Sequence, residues 1–256
     1  MKVFIIFGTG TDVGKTFFLK TSIDHLYNNK IPCFAIKPII SGYNSRKTND
    51  LSITTKSLEQ YKTKNITVHD ISLYRFLEPS SPNIAANNSD IVVELNRIVE
   101  FCQNKIDTSI LQNMQYFFIE TAGGLFSTIN DTKTCLDIGL ELLKKYNNKL
   151  DIEFILITNN YLGTISNSIS SIIALETVMK NNNINVKTHF IFNDFLRTNK
   201  LKQFINKKKN ALAKSKSQTC DVFLSIQNIS KYLANKDKYN IIFYSSINNF
   251  IEKSLK

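Results

Sequence analysis

Cysteine and histidine are both scarce in this chain. Cys33, Cys102, Cys135 and Cys220 are scattered, with no C-x-x-C pair and no histidine at a metal-ligand spacing. That excludes a zinc module and a disulfide framework and leaves four buried or free thiols of a reducing compartment. His25, His69 and His189 are the only histidines, and none falls in a motif with a Ser or Cys nucleophile, so core or surface positions are expected of them. Long apolar runs are also missing. The N-terminal run Val3 to Phe7 is interrupted by Gly8, too short for a signal segment or a membrane span, so a soluble, cytoplasmic protein is expected. No internal repeat and no linker rich in Pro, Gly or Ser interrupts the 256 residues, and one domain over residues 1–256 is the economical expectation. With 43% hydrophobic residues the chain can fill a core of that size.

Acidic residues are in deficit, 21 Asp+Glu against 32 Lys+Arg, for a formal net charge of +11. The excess is spread over a chain rich in Asn, Lys and Ile, as on solvated faces. Its densest cluster, Lys207 to Lys209 with Lys214 and Lys216, has no interleaved aromatics and no docking motif, so no nucleic-acid partner is expected.

Glycine is rare too, and its placement is informative. Seven of the 8 glycines, Gly8, Gly10, Gly14, Gly42, Gly123, Gly124 and Gly163, fall at or just beyond the ends of expected strands. Only Gly139 lies inside a helical pattern. The clearest expected strands are Val3 to Phe7, Cys33 to Ile36, Tyr116 to Ile119, Phe154 to Thr158 and His189 to Phe192, with weaker ones at Val222 to Ile226 and Ile241 to Tyr244. Between them Lys15 to Tyr27, Ile91 to Cys102, Thr134 to Tyr146 and Ser166 to Lys180 carry apolar residues at helical spacing. This alternation predicts an α/β fold, doubly wound, with a mostly parallel sheet and helices on both faces. In such sheets ligands bind beyond the carboxyl ends of the strands, so the glycines outline a rim there.

The strand Val3 to Phe7, the segment Gly8-Thr9-Gly10-Thr11-Asp12-Val13-Gly14-Lys15-Thr16 and the helix that follows stand in the order of a phosphate-binding P-loop. Backbone N–H groups and the helix N-terminus attract phosphate, Lys15 can reach the terminal phosphates, and the Thr16 hydroxyl can ligate Mg²⁺. The spacing departs from the general Walker pattern, because Thr9 stands where the first glycine belongs. Downstream, Lys37-Pro38-Ile39-Ile40-Ser41-Gly42 follows the second strand, where Lys37 reads equally as a solvated strand end or as a cation of the same crevice. Asp50, after Thr48-Asn49 and ahead of an expected helix, reads as a helix N-cap. Glu120 ends a buried strand ahead of Thr121-Ala122-Gly123-Gly124, and a charge there needs a partner, for which Mg²⁺ is suited.

Taken together these motifs resemble the dethiobiotin synthetases. The loop is similar to that family's Gly-Thr-Asp-Thr-x-Val-Gly-Lys-Thr, with Gly10 in place of Asp. Lys37 to Gly42 matches its Lys-Pro-x-x-Ser-Gly, and Glu120 to Gly124 resembles Glu-Gly-Ala-Gly-Gly, with Thr121 in place of a glycine. Weaker echoes are Glu78-Pro79-Ser80-Ser81-Pro82, Leu162-Gly163-Thr164-Ile165, followed by Ser166-Asn167 where the family has Asn-His, and Asn193-Asp194. The resemblance runs from Met1 to about Asp194.

It implies a P-loop NTPase fold and the ATP- and Mg²⁺-dependent closure of 7,8-diaminononanoate with CO₂ to dethiobiotin, ADP and phosphate, through a carbamate and a carbamic-phosphoric anhydride. It also implies a homodimer with substrate at the interface. By the same resemblance Gly10, Thr11, Asp12, Val13, Gly14, Lys15, Thr16 and Phe17 would hold the nucleotide and Asn193 its base. Thr16, Asp50 and Glu120 would hold Mg²⁺. Thr11, Lys37, Ser41, Gly123, Leu162, Gly163 and Thr164 would meet substrate, with Lys15, Lys37 and Thr11 acting in the reaction. A partition or regulatory ATPase that performs no small-molecule synthesis would share Gly14-Lys15-Thr16 and Glu120, but would not be expected to carry Lys37-Pro38 through Ser41-Gly42.

Overall fold

The computed structural model describes residues 1–61, 65–147, 149–159, 161–193, 229 and 241–256. The strand expected at Val222 to Ile226, the basic cluster from Lys207, Cys220 and Asp194 lie outside them. The chain divides into two compact units, Met1–Ile155 and Leu156–Lys256.

In the first unit the strands β1 (Lys2–Gly8), β2 (Cys33–Ile36) and β5 (Tyr116–Glu120) run parallel in the order β2-β5-β1. Their sequences KVFIIFG, CFAI and YFFIE are nearly continuous apolar runs, because a parallel sheet is covered on both faces. The register sets Ile6 beside Glu120, so β1 and β5 deliver the phosphate loop and the carboxylate side by side. Two helix pairs cover the sheet. Helix α1 (Lys15–Asn28) packs on β1, β2 and β5 and against α2 (Asp50–Glu59), while α5 (Leu95–Leu111) packs on β5 and α6 (Cys135–Tyr146) on β1. Phe4, Phe7, Phe117 and Phe118 are fully buried between these layers, each contributing about 1.5–3 kcal/mol by leaving water. Phe4 stacks on Phe118 at 5.6 Å and Phe7 meets Phe154 edge-on at 5.1 Å.

Short elements fill the rest of this unit. A second, two-stranded sheet joins β3 (Ile39–Ile40) to β4 (Tyr74–Arg75) in parallel, with α3 (Val68–Ile71) just before β4. Helix α4 (Pro82–Asn87) begins at the second proline of the Glu78 to Pro82 segment, which is therefore a loop that ends by starting a helix. The helix expected over Ile91 to Cys102 starts later, at Leu95, and continues to Leu111. Asp90 takes a left-handed turn with φ 52°, which delays its start, and buried Ile106 and Ser109 extend the apolar face past Cys102.

The second unit carries the end of β6 (Asp151–Asn159), α7 (Thr164–Asn181), the parallel pair β7 (Thr188–Asn193) and β8 (Ile241–Tyr244), and α8 (Ile247–Ser254). His189 is buried in its core, 3.1 Å from the Tyr244 hydroxyl and edge-on to Phe250, as expected of a packing histidine. The fold is α/β, doubly wound, with a mostly parallel sheet and helices on both faces.

Candidate functional site

The loop from Gly8 to Gly14 is built by steric necessity. A Cβ on Gly8 would lie 2.7 Å from both Gly10 O and Val13 Cγ2, so only glycine fits where the strand gives way to the loop. Gly14 adopts φ 100° and caps α1 without a side chain, which leaves the first N–H groups of the helix directed at the loop. Thr11 and Asp12 are exposed at the tip, Val13 is buried beneath them, and Phe17 is half-buried on the first turn of α1. At Gly10, where the resembling family has Asp, φ is not positive and an added Cβ would meet only Val13 Cγ1, at 3.9 Å. The backbone therefore does not need a glycine there.

Lys15 is 7% exposed and folds back over the loop. Its Nζ donates to Gly123 O at 2.5 Å and to Gly10 O at 3.4 Å. Burial, and then the neighbouring Lys37 charge, push its pKa down to about 8. The loop after β5 is fastened to the phosphate loop in turn, with Leu125 N donating to Gly8 O at 2.9 Å. Thr121, which replaces a family glycine, turns inward, and its N–H and Oγ1 both donate to Ile6 O, at 3.1 and 2.9 Å. The substitution thus adds an anchor to β1 and leaves the turn at Gly123 and Gly124 in place.

Lys37, Asp50 and Glu120 form one cluster. Lys37 is 4% exposed and Glu120 0%, so neither is a solvated strand end. Lys37 Nζ bonds Glu120 Oε1 at 2.8 Å and pairs with Asp50 Oδ2. Thr16 Oγ1 donates to the same Glu120 Oε1 at 2.7 Å. Burial pulls the Lys37 ammonium down, but the two carboxylates outweigh it and hold its pKa above the usual lysine value. Burial likewise pushes Asp50 up, yet Lys37, Thr16 and Lys15 bring its carboxyl below the ordinary range. The N-cap alternative for Asp50 is removed. Asn49 caps α2 in a reciprocal capping box with Ser52, and Asp50 is the first helical residue, turned to Lys37.

Two carboxylates and a hydroxyl are hard oxygen donors of the kind Mg²⁺ selects, and Mg²⁺ commonly takes few protein ligands, completing its shell with water and phosphate. Glu120 Oε2 is buried with no hydrogen-bond partner, an acceptor available to such an ion. The residues fit.

Ser41 follows β3 on the same strand-to-turn segment as Lys37. Its Oγ is buried and unpartnered, as is that of Ser80, and Gly42 N donates to Glu78 O at 2.9 Å, bringing the two segments together. Ser80 belongs to no expected site. The signal for it lies in the Glu78 to Pro82 motif. Of the remaining expected residues, Leu162, Gly163 and Thr164 form the turn after β6 in the second unit. Leu162 is 102% exposed, Gly163 caps α7 with φ 93°, and the Thr164 hydroxyl is turned inward to Asn159 O at 2.6 Å. Asn193 is buried at the end of β7. The structure thus brings Gly10 to Phe17, Lys37, Asp50, Glu120 and Gly123 together in the first unit.

The family described as an AAA domain matches residues 2–232. The chain is 29% identical over 177 residues to the ATP-dependent dethiobiotin synthetase of Acidiphilium cryptum, covering 68% of this chain and 74% of that protein. It is 31% identical over 173 residues to that of Francisella tularensis subsp. novicida, covering 67% and 70%. With that of Legionella pneumophila strain Paris it is 30% identical over 169 residues, covering 66% and 71%. A solved ParA family ATPase from Chlorobium tepidum overlaps at 15% identity and a TM-score of 0.40, over 75% of this chain and 73% of that one. The chain belongs to the AAA-domain P-loop proteins and, within them, to the ATP-dependent dethiobiotin synthetase family of ligases.

Proposed function

We propose that this protein closes the ureido ring of dethiobiotin from 7,8-diaminononanoate and CO₂, at the expense of ATP. The observation that carries the reading is the cluster of buried Lys37 and Glu120 with half-buried Asp50 beside the P-loop lysine, in a chain related to dethiobiotin synthetases over two thirds of its length. An amine of the substrate adds to CO₂ and loses a proton to give a carbamate. A carbamate oxygen then takes the γ-phosphoryl group, forming a carbamic-phosphoric anhydride and ADP. The neighbouring amine attacks the carbonyl carbon, phosphate leaves with the C–O bond, and a second proton is lost as the ring closes.

Both partners in the phosphoryl transfer are anions, and two unit charges 4 Å apart repel by about 4 kcal/mol at an effective dielectric near 20. Lys15 and Lys37 answer that repulsion, and no side-chain nucleophile is needed. Thr16, Asp50 and Glu120 would hold Mg²⁺, which would supply charge neutralisation for the phosphoryl transfer. The N–H groups of Gly10 to Phe17 cradle the phosphates, Asn193 reads the base, and Thr11, Ser41 and Gly123 orient the substrate. Leu162, Gly163 and Thr164 reach it in a homodimer. The reading also holds residues 1–256 to be one synthetase domain at work in the cytoplasm. Among the described residues no helix is long and apolar enough to cross a membrane.

The test is to incubate the protein with MgATP, bicarbonate and diaminononanoate and follow ADP and dethiobiotin by mass spectrometry. Stoichiometric ADP and dethiobiotin are expected. ATP turnover that ignores the diamine would overturn the reading in favour of a switch ATPase.

A further inference from the structure

The three side chains assigned above to a divalent cation are already joined, and a lysine joins them. Lys37 Nζ and Thr16 Oγ1 both donate to Glu120 Oε1, at 2.8 and 2.7 Å, and Nζ also pairs with Asp50 Oδ2. Lys37 and Thr16 take only Oε1 of Glu120 and leave Oε2 open to an ion, but an ammonium and a divalent cation on the two oxygens of one carboxylate repel each other, and Glu120 has no contact with solvent to screen them.

We infer that Lys37 is the resident counter-ion of the metal site, displaced by the divalent cation rather than joined by it, so that metal entry frees its ammonium for the anionic substrate. This rests on the reading that Thr16, Asp50 and Glu120 hold the metal. The charges support an exchange. Lys15 and Lys37 face Asp50 and Glu120, two cations against two anions, and the free site is balanced. A divalent cation that takes over both carboxylates leaves Lys37 as a surplus positive charge, which is what a carbamate needs.

The backbone allows the side chain to move without the chain. Lys37 N is tied to Ile71 O at 2.8 Å and Pro38 follows it, with Pro38 O accepting from Leu73 N and Tyr74 N at 3.0 Å. Only the side-chain torsions of Lys37 are left to change. Asp50 gives the ion a way in, since its side chain is 41% exposed while that of Glu120 is closed off. The metal thereby primes the substrate subsite, and Lys37 acts as a positioning residue for Glu120 before it meets substrate.

Two measurements test this. Mn²⁺ binding to the nucleotide-free protein, followed by the electron paramagnetic resonance of the free ion, is compared among wild type, Lys37→Met and the double variant Lys37→Met with Glu120→Gln. Lys37→Met is expected to bind Mn²⁺ about tenfold tighter than wild type, and the added Glu120→Gln to cancel that gain. No tightening in Lys37→Met overturns the exchange. If Glu120→Gln still weakens binding in that case, the metal reading survives alone. If Glu120→Gln has no effect, the metal reading falls as well. The second measurement uses wild type only and so does not depend on how a variant folds. Brief acetylation with acetic anhydride, in ADP alone and in MnADP, is read at Lys37 by peptide mass spectrometry. Labelling of Lys37 is expected to rise severalfold with Mn²⁺, and unchanged labelling overturns the inference.

Discussion

Raising the pH should stabilise this protein through Lys15, against the usual trend for a lysine. Its folded pKa of about 8 lies below the ordinary 10.5, burial being the larger cause and the Lys37 charge the next. Below about pH 8 both folded and unfolded chains hold the proton, and the folded state bears the whole cost of a buried ammonium. Between the two values the folded chain releases its proton while the unfolded chain keeps it, so stability rises with pH through that window. The displacement corresponds to about 3 kcal/mol in all, of which about 2 kcal/mol is regained between about pH 7 and about pH 9.5. Other groups titrate over this range, so the quantity to measure is the difference between wild type and Lys15→Met in urea unfolding at each pH. Wild type should gain about 2 kcal/mol on the variant across the interval. A difference that stays flat, or falls with pH, refutes the claim that Lys15 sits desolvated over the loop. Bound MgADP should shrink the gain, because phosphate restores the charge that the folded site otherwise disfavours.

Three further perturbations follow from the geometry. Gly10→Asp should change stability by no more than about 0.5 kcal/mol, since the added Cβ meets only Val13 Cγ1 at 3.9 Å; a drop in melting temperature together with lost ADP binding would show that the loop does need glycine there. Gly139→Ala should cost about 1–3 kcal/mol in urea unfolding, because its Cβ would fall 2.8 Å from Phe154 Cζ in the core, and a neutral result would mean that the ring can retreat. Thr121→Gly removes the hydroxyl bond to Ile6 O and loosens the chain, for an expected loss of about 1–2 kcal/mol; equal stability would show that the anchor contributes nothing.

What could be read in advance depended on whether a residue's role was local. The runs Val3 to Phe7 and Tyr116 to Ile119 announce buried parallel strands by composition alone, and Gly14-Lys15-Thr16 announces its loop by spacing. The pair β3 and β4 is two residues long on each side, below the length at which alternation can be seen. It exists because Pro38 O and Ile40 O accept from residues more than thirty positions away. The two readings of Lys37 and of Asp50 could not be separated from sequence, since each depends on the other. Asn49 had to be found as the cap of α2 before Asp50 was free to face the ammonium. From sequence, Thr121 reads only as a replacement for a family glycine. Only the register placing Glu120 beside Ile6 reveals that its hydroxyl finds the Ile6 carbonyl. Helix α5 overran its expected end because Ile106 and Ser109 keep its buried stripe going beyond Cys102.

The fastening of the two loops also bears on kinetics. Leu125 N holds Gly8 O, and Lys15 Nζ holds Gly123 O, so bonds within the protein itself hold the cradle in shape. A receptor that need not rearrange its backbone loses little conformational entropy on capture, and encounter then sets the pace. Mixing a fluorescent ADP analogue with the protein should accordingly give one observed rate that climbs linearly with concentration. A plateau would mean that the cradle must first open.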